Sequence, residues 1–396
     1  MDTDGQSRPC CLNDDPPLET RRQLHSADDL IHAWNHSQFQ KIRKEMLNGQ
    51  RPSDCWRCYD REDKGLTSSR QESNTMFPGE LERIEATGDP GGMVREGLRA
   101  IDFRLDNICN LRCRMCHPRY SSGLRPEWGA LGFEEGLEEA DGAWFDRDSF
   151  WRDLFARSPD LEHVTIAGGE TLINRRFHWL LDHLIEQGIA YRISLHFHTN
   201  LTVIDESVLR KLEKFKTVNL RVSLDGTGAV NSYIRHPSDW EKLAANVSLV
   251  NQWAKWPFLR VFMNVTVQAY NLLNIPDLIE YSLTLENFRP PKLQLIQEPE
   301  AFLVSALPQN LRDRATERLK PYLELRRFPK SWTSFDQKRF RQNITEVISH
   351  LGGIEGQAGF EDLVKRTLAH DRYRKQSVHD FIPELSHLFT GQGAAP

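Results

Sequence analysis

From residue 97 to about residue 300 the chain alternates short β-rich runs with helical stretches, and this alternation limits its fold more than any other feature. The runs are 99-RAIDFRL, 162-EHVTIAG, 192-RISLHFHT, 218-VNLRVSLD, 259-LRVFMNVTV and 292-KLQLIQ. Helical periodicity lies between them near residues 173–187, 205–214, 238–254 and 275–284. Strands that alternate with helices build βαβ units and a mostly parallel sheet, with functional residues at the C-terminal strand ends. Six units are too few to close an eight-stranded barrel. The expected core is therefore an open, partial (β/α)6 barrel over residues 97–300.

The flanks read differently. Residues 1–90 look irregular except for one predicted helix, 26-SADDLIHAWNHSQFQKIRKEML-47, with Ser26 as N-cap and Asp28 and Asp29 in its first turn. Leu30, Trp34, Ile42 and Met46 form its apolar stripe, read as ordinary packing, and Gly49 stops it. The stretch 120–160, acidic and aromatic at 133-FEEGLEEADGAWFDRDSFW, reads as an insertion plus the first helix, its charge run a solvated face. Residues 301–396 are polar and read as a helical extension. Lys and Arg number 51 against 56 Asp and Glu, a net charge of −5, so bulk electrostatics does not steer the chain toward nucleic acid or anionic lipid. No apolar run approaches the roughly 20 residues that span a bilayer. The start, MDTDGQSRPCC, has no basic or apolar export region, so a cytoplasmic location is expected.

All seven cysteines, Cys10, Cys11, Cys55, Cys58, Cys109, Cys113 and Cys116, fall in the first third. Clustered cysteines without an export signal point to metal ligation in a reducing compartment in preference to disulfides. The stretch 109-CNLRCRMC-116 is a C-x3-C-x2-C array at the C-terminal end of the first predicted strand, and no cysteine follows it. A closed four-iron cluster takes four thiolates, so three leave one iron open to another ligand. A structural zinc site would need His117 as fourth ligand, but adjacent residues rarely both reach one tetrahedral ion.

The array matches the signature of the radical S-adenosylmethionine (radical SAM) superfamily, and further motifs follow in that family's order on successive predicted strands. After the second strand, 168-GGE-170 resembles the family's GGE motif. Gly168 and Gly169 would let backbone approach closely, and Glu170 would accept from the cofactor's amino group. In 198-HTN-200, Asn200 would contact the ribose. The segment 223-SLDG-226 resembles the ribose and carboxylate contact, with Ser223 and Asp225 as its polar members. Arg235 in 233-YIRHP stands where related enzymes place an arginine for the methionyl carboxylate, and 263-MNVTV-267, centred on Val265, would offer backbone and apolar contacts to adenine. Met115 departs from the aromatic residue often found before the last cysteine. The resemblance implies a [4Fe-4S] cluster, S-adenosylmethionine, and its reductive cleavage to a 5′-deoxyadenosyl radical that takes hydrogen from a substrate. His196 and His198 alternate onto one face of the third strand and read as core or rim histidines, with a place in the cavity lining as the alternative.

Residues 5-GQSRPCC-11 and 55-CWRC-58 form a second cysteine group, and a C-x2-C pair alone suits zinc or a redox couple. Beside the core motifs it resembles the auxiliary-cluster ligands of twitch and SPASM proteins. Gly5 leads Cys10 and Cys11, Cys55 and Cys58 make the pair, and the openings PCC and 55-CWRCYDRE-62 and the ending 371-DRYRKQSVHDFIPEL-385 look like twitch proteins. The first cysteine of that pattern would precede Gly5, so either the start is shortened relative to such proteins or the ligand set is unusual. An auxiliary cluster would carry electrons, contact substrate or serve structurally, the first two being favoured. The expected function is a radical SAM enzyme acting on a peptide or small metabolite with an external electron donor such as flavodoxin or ferredoxin. Nucleotide or RNA modification, and a non-catalytic zinc or iron-sulfur protein, are the alternatives. Neither membrane nor nucleic acid is an expected partner.

Overall fold

Alternating apolar and polar residues, the pattern of strands with one packed face, are realised in six strands. They are β1 (Ala100–Arg104), β2 (His163–Ala167), β3 (Ser194–Thr199), β4 (Thr217–Ser223), β5 (Leu259–Val267) and β6 (Phe288–Leu295). This computed structural model describes residues 7–10, 27–65, 67–79, 82, 93, 97–133, 144–354 and 356–389. Its helices in chain order are α1 (Ala27–Trp34), α2 (Ser37–Leu47), α3 (Trp56–Asp63), α4 (Ser69–Met76), α5 (Arg125–Leu131), α6 (Asp148–Arg157), α7 (Arg175–Glu186) and α8 (Glu206–Leu212). They continue with α9 (Gly228–Ile234), α10 (Trp240–Trp253), α11 (Ile275–Leu283), α12 (Gln309–Leu319), α13 (Ser334–Gly352), α14 (Phe360–Arg374) and α15 (Val378–Phe381). The strands form one six-stranded sheet in chain order. Every pairing from β2 to β6 is parallel. This is the open α/β arrangement that the alternation predicts, followed by a helical stretch.

The chain divides into two compact units, Met1–Arg104 with Ala140–Leu161, and Leu105–Glu139 with Glu162–Pro396. In the first unit Phe39 and Ile42 of α2 are buried and pack with Trp34 and Cys55. Phe103, Trp144, Phe150 and Trp151 form an aromatic cluster, with Phe103 and Trp151 edge to face at 5.0 Å between centroids. The helix predicted over residues 26–47 is two helices here. Asn35 and His36 interrupt it, and Ser26 lies outside the described residues. The Trp34 carbonyl accepts from both terminal nitrogens of Arg43 at 3.0 Å, and His36 Nδ1 accepts from the Gln38 amide as the N-cap of α2. Short polar side chains compete for backbone groups in this way, which makes Asn-His-Ser a poor helix interior. Of the predicted stripe, Leu30 and Ile42 are buried and Met46 is exposed.

In the second unit one face of the sheet is dry. Val164, Ile166, Leu195, Phe197, Val218, Leu220, Val222, Val261 and Met263 are each at most 1% exposed, and each such side chain contributes about 1.5–3 kcal/mol by leaving water. The crossover helices start at side-chain caps: Asn174 accepts from the Phe177 amide, Asp205 from Val208, and Asp239 from Glu241 and Lys242. One boundary differs from expectation. β6 begins at Phe288, ahead of the predicted 292, and so contains Pro290 and Pro291. Proline is tolerated because β6 is the last strand of the sheet and its register with β5 shifts between Phe262 and Asn264.

Candidate functional site

The cysteine loop is seated on the end of β2 by a short backbone zipper. The Leu105 amide donates to Ala167 O at 3.0 Å, Gly169 to Asp106 O at 2.8 Å and Glu170 to Ile108 O at 2.8 Å. Gly168 has φ +135°, and a Cβ on it would lie 2.7 Å from Asp106 O. A Cβ on Gly169 would lie 2.1 Å from Ile108 O. The glycines of 168-GGE-170 thus admit the chain's own residues 105–108. Asp106 closes the seat, accepting from the Ile108 amide at 3.0 Å and from Asn174 Nδ2 at 2.5 Å. On its other side the loop is tied to the end of α9, with Arg112 N donating to His236 O at 2.6 Å and Arg114 N to Ile234 O at 2.8 Å.

The three thiols are free, with Cys113 buried and Cys109 and Cys116 partly so. Burial raises the pKa of all three, that of Cys109 to about 12, with the neighbouring Cys113 adding to it. Donors stand ready for thiolates: the Leu111 amide is 3.4 Å from Cys109 Sγ, Asn200 Nδ2 is 3.9 Å from it, and Arg235 Nη1 is 4.0 Å from Cys113 Sγ. Among the described residues no three His, Cys, Asp or Glu side chains converge as a single ion requires. Three thiols with an amide, a carboxamide and a guanidinium placed beside them form a donor set that suits an iron-sulfur cluster.

Glu170 is 2% exposed and its carboxylate ties β2 to β3. Oε1 accepts from Thr199 Oγ1 at 2.6 Å and the Leu172 amide at 3.0 Å, and Oε2 accepts from the Asn200 amide at 2.6 Å. Burial pushes its pKa up in spite of these bonds. Asn200 faces the cysteine loop, donating to Asn110 Oδ1 at 2.9 Å while its Oδ1 accepts from Thr202. Leu201 just after it takes φ +56°, a left-handed conformation that costs a side chain about 1–2 kcal/mol.

Two of the expected site residues, Asp225 and Val265, are buried. Asp225 is fully buried, accepting from the Thr266 amide at 2.7 Å while its Oδ2 lies 2.7 Å from Arg235 Nε. It stands behind Arg235 and orients it, which leaves Ser223 as the partly exposed polar member of 223-SLDG-226. Val265 is 1% exposed on the helix-covered face, because strand alternation turns Asn264 and Thr266 to the other face. Its side chain is therefore turned away from the face that carries Asn264 and Thr266.

In the first unit Cys58 sits one turn along α3 from Cys55. Burial raises Cys55 to about 11, with Cys10 and Cys58 close enough to push it further up. Gly5 and Cys11 lie outside the described residues. His196 and His198 both lie half-buried on the polar face of β3. Sequence reading gave no site role to Arg114 within the array, to Glu127 and His370, or to Asp371 and Arg374 within 371-DRYRKQSVHDFIPEL-385, all polar groups beside the loop.

Two histidines give the second unit a pH dependence. His196 is held down to about 4 by burial and then by Arg221, His163 and Arg260, and His236 to about 4 by burial and then by Arg374 and Arg112. An unfolded histidine titrates near ~6.5, so the unfolded chain binds more protons between about 4 and 6.5. The stability from keeping both neutral is whole above that window and is lost as pH falls through it. Thermal unfolding of the metal-free protein is expected to drop across this range, less steeply in His196→Gln. An identical slope in that variant would contradict the assignment for His196.

Residues 105–252, from the entry of the cysteine loop into α10, match the family model described as Radical SAM superfamily. No curated protein matches the sequence. Among solved structures, SuiB of Streptococcus suis bound to S-adenosylmethionine is similar over 62% of this chain and 48% of its own, at 13% identity and TM-score 0.38. SuiB bound to the precursor peptide SuiA is similar over 92% of this chain and 82% of its own, at 13% identity and TM-score 0.40. The third is anSMEcpe with bound AdoMet and Kp18Cys peptide, at 57% and 60% coverage, 17% identity and TM-score 0.41. The chain thus spans about half the length of the first of these.

Proposed function

We propose that this chain, an enzyme whose residues 105–252 are a radical SAM domain, holds a [4Fe-4S] cluster on Cys109, Cys113 and Cys116 and S-adenosylmethionine at the open iron. The observation that carries the reading is the joining of loop 105–116 to Gly168, Gly169 and Glu170, with Arg235 brought to Cys113 from the C-terminal end of α9. When bound, the two groups supply reductive cleavage of a carbon-sulfur bond and a 5′-deoxyadenosyl radical. The chain's own residues do the holding. Arg235, steadied by Asp225, sets a positive charge beside the thiolates and the cofactor's carboxylate, and Glu170 receives its amino group. Asn200 and Ser223 border the ribose, and the backbone at Val265 borders adenine.

The substrate class is a peptide or small metabolite, and an external one-electron donor of flavodoxin or ferredoxin type supplies the reductant in the cytoplasm. Among the described residues no helix is long and apolar enough to cross a membrane. An auxiliary twitch-like cluster would draw on Cys10, Cys11, Cys55 and Cys58, a reading supported by the C-x2-C pair at the start of α3 and by the effect of Cys10 and Cys58 on Cys55. The test is anaerobic reconstitution followed by measurement of 5′-deoxyadenosine under reductant. Cys55→Ala is expected to lower iron content and to leave cleavage that is uncoupled from product. A fully loaded wild type that never cleaves S-adenosylmethionine would end the enzyme reading.

A further inference from the structure

Arg114 lies between two residues of the cysteine array, and its side chain turns away from the thiols into a buried polar cluster. It is 1% exposed. Its Nε donates to Tyr233 O at 3.1 Å, and its Nη2 donates to Asp371 Oδ1 at 2.5 Å and Gln376 Oε1 at 3.2 Å. The guanidinium lies 3.6 Å from the centre of the Tyr233 ring. Asp371, in the last turn of α14, also accepts from Tyr233 Oη at 2.9 Å and, through Oδ2, from the Val378 amide at 2.8 Å. One residue triad therefore joins the array, α9 and the chain after α14.

A second tie runs beside it. Arg374 Nη2 donates to the carbonyl of Arg112, inside the array, at 2.7 Å, and its Nε donates to Glu127 Oε1 at 2.8 Å. The same oxygen accepts from His370 Nδ1 at 2.6 Å. Burial lowers the pKa of His370, which therefore donates as a neutral ring. Burial pushes Glu127 up, but the bond from His370 and the charge of Arg374 outweigh it and keep it ionised. The loop is thus gripped twice from α14, once by the side chain at 114 and once by the carbonyl at 112.

Fold stability alone gives little reason for such a construction. A buried ion pair loses about as much by leaving water as it gains by attraction, and apolar residues of similar volume often serve stability as well or better. What directed bonds supply is one conformation. In a metal site the groups that orient the ligands influence the metal nearly as much as the ligands do.

We infer that α14 and the turn after it belong to the site's machinery, with Arg114, Asp371 and Arg374 as positioning residues that set the conformation of loop 109–116. The inference rests on reading that loop as the cluster site, and it extends the site to a helix 257 residues away in the chain. None of the three touches the thiols or the cofactor. They act through the Arg112 carbonyl and through the backbone between Cys113 and Cys116.

The test uses the full-length, anaerobically reconstituted protein and three readouts: melting temperature, cluster loss to a chelator, and the change in the reduced cluster's EPR spectrum when S-adenosylmethionine is added. Asp371→Asn leaves Arg114 with an unpaired buried charge and is expected to melt lower. The double variant Arg114→Met with Asp371→Asn removes both charges and is expected to regain much of that stability. In both, S-adenosylmethionine should bind about 10–100-fold more weakly and the cluster should be lost faster, the usual effect of removing a ligand-orienting group. A double variant with normal melting but impaired cofactor response supports positioning. A double variant in which melting and spectrum return together overturns it, since the pair then served stability alone. If neither variant folds, Tyr233→Phe removes one hydrogen bond and no charge, and a wild-type cofactor response in it overturns the inference. A wild type that binds no cluster defeats the reading of the loop itself, an outcome visible before any variant is made.

Discussion

Cys113→Ala is expected to abolish cleavage of S-adenosylmethionine, leaving only the uncatalysed background, a fall of about 10⁶-fold or more on the usual span of enzymatic acceleration. Cys113 is the buried thiol of the three and the one beside Arg235 Nη1, and the Cys116 amide donates to its carbonyl at 3.0 Å. Alanine keeps that turn and removes only the ligand. Two remaining thiols leave a second iron without a protein ligand, so the cluster is not retained. Iron analysis and EPR after anaerobic reconstitution read this directly. Iron held by Cys55 and Cys58 should persist, so the expected loss is partial in iron and complete in cleavage. Equal iron loss in Cys113→Ala and Cys55→Ala, with cleavage from neither, would count against two independent clusters. Cleavage retained in Cys113→Ala would remove the array from the mechanism.

Gly169→Ala is expected to cost about 3 kcal/mol or more and to release the cysteine loop. The added Cβ would stand 2.1 Å from Ile108 O, 2.4 Å from Ile108 C and 2.8 Å from Asn107 C. All three are backbone atoms, so no side chain can swing aside. Overpacking of this kind costs about 1–3 kcal/mol, and each of the two zipper bonds at risk, Gly169 N to Asp106 O and Glu170 N to Ile108 O, adds about 0.5–1.5 kcal/mol. Gly129→Ala in α5 is the control. Nothing lies within 4 Å of its added Cβ, so the variant should be neutral or more stable by up to about 1 kcal/mol. Denaturant unfolding of the two variants beside the wild type decides the matter. If Gly169→Ala unfolds with the wild type, the close approach of residues 105–108 is wrong.

Much of the second unit is legible in the sequence because its signals are local. A strand announces itself by a period of two, and Val261, Met263 and Val265 of β5 are buried on that period. Crossover helices begin at Asn174, Asp205 and Asp239 because a short polar side chain satisfies the first free amides. The C-x3-C-x2-C spacing is likewise read from adjacent residues alone. These readings need only neighbours along the chain, and they placed the cysteine array and the GGE segment after successive strands and Arg235 at the end of the helix after β4.

The tertiary structure decided what depends on distant partners. The GGE glycines are required by Asp106 and Ile108, about sixty residues earlier, and no local pattern names those partners. Asp225 is held behind Arg235 by the Thr266 amide, a partner that no local pattern names. Two prolines enter β6 because a last strand has donors to spare. Arg114 and Asp371 give no sign of each other in the sequence until packing buries them together, 257 residues apart. Sequence determined which elements form and where the thiols, the carboxylate and the guanidinium enter the site. Packing determined which of them face it, since burial and long-range hydrogen bonds depend on the whole fold and have no period in the chain.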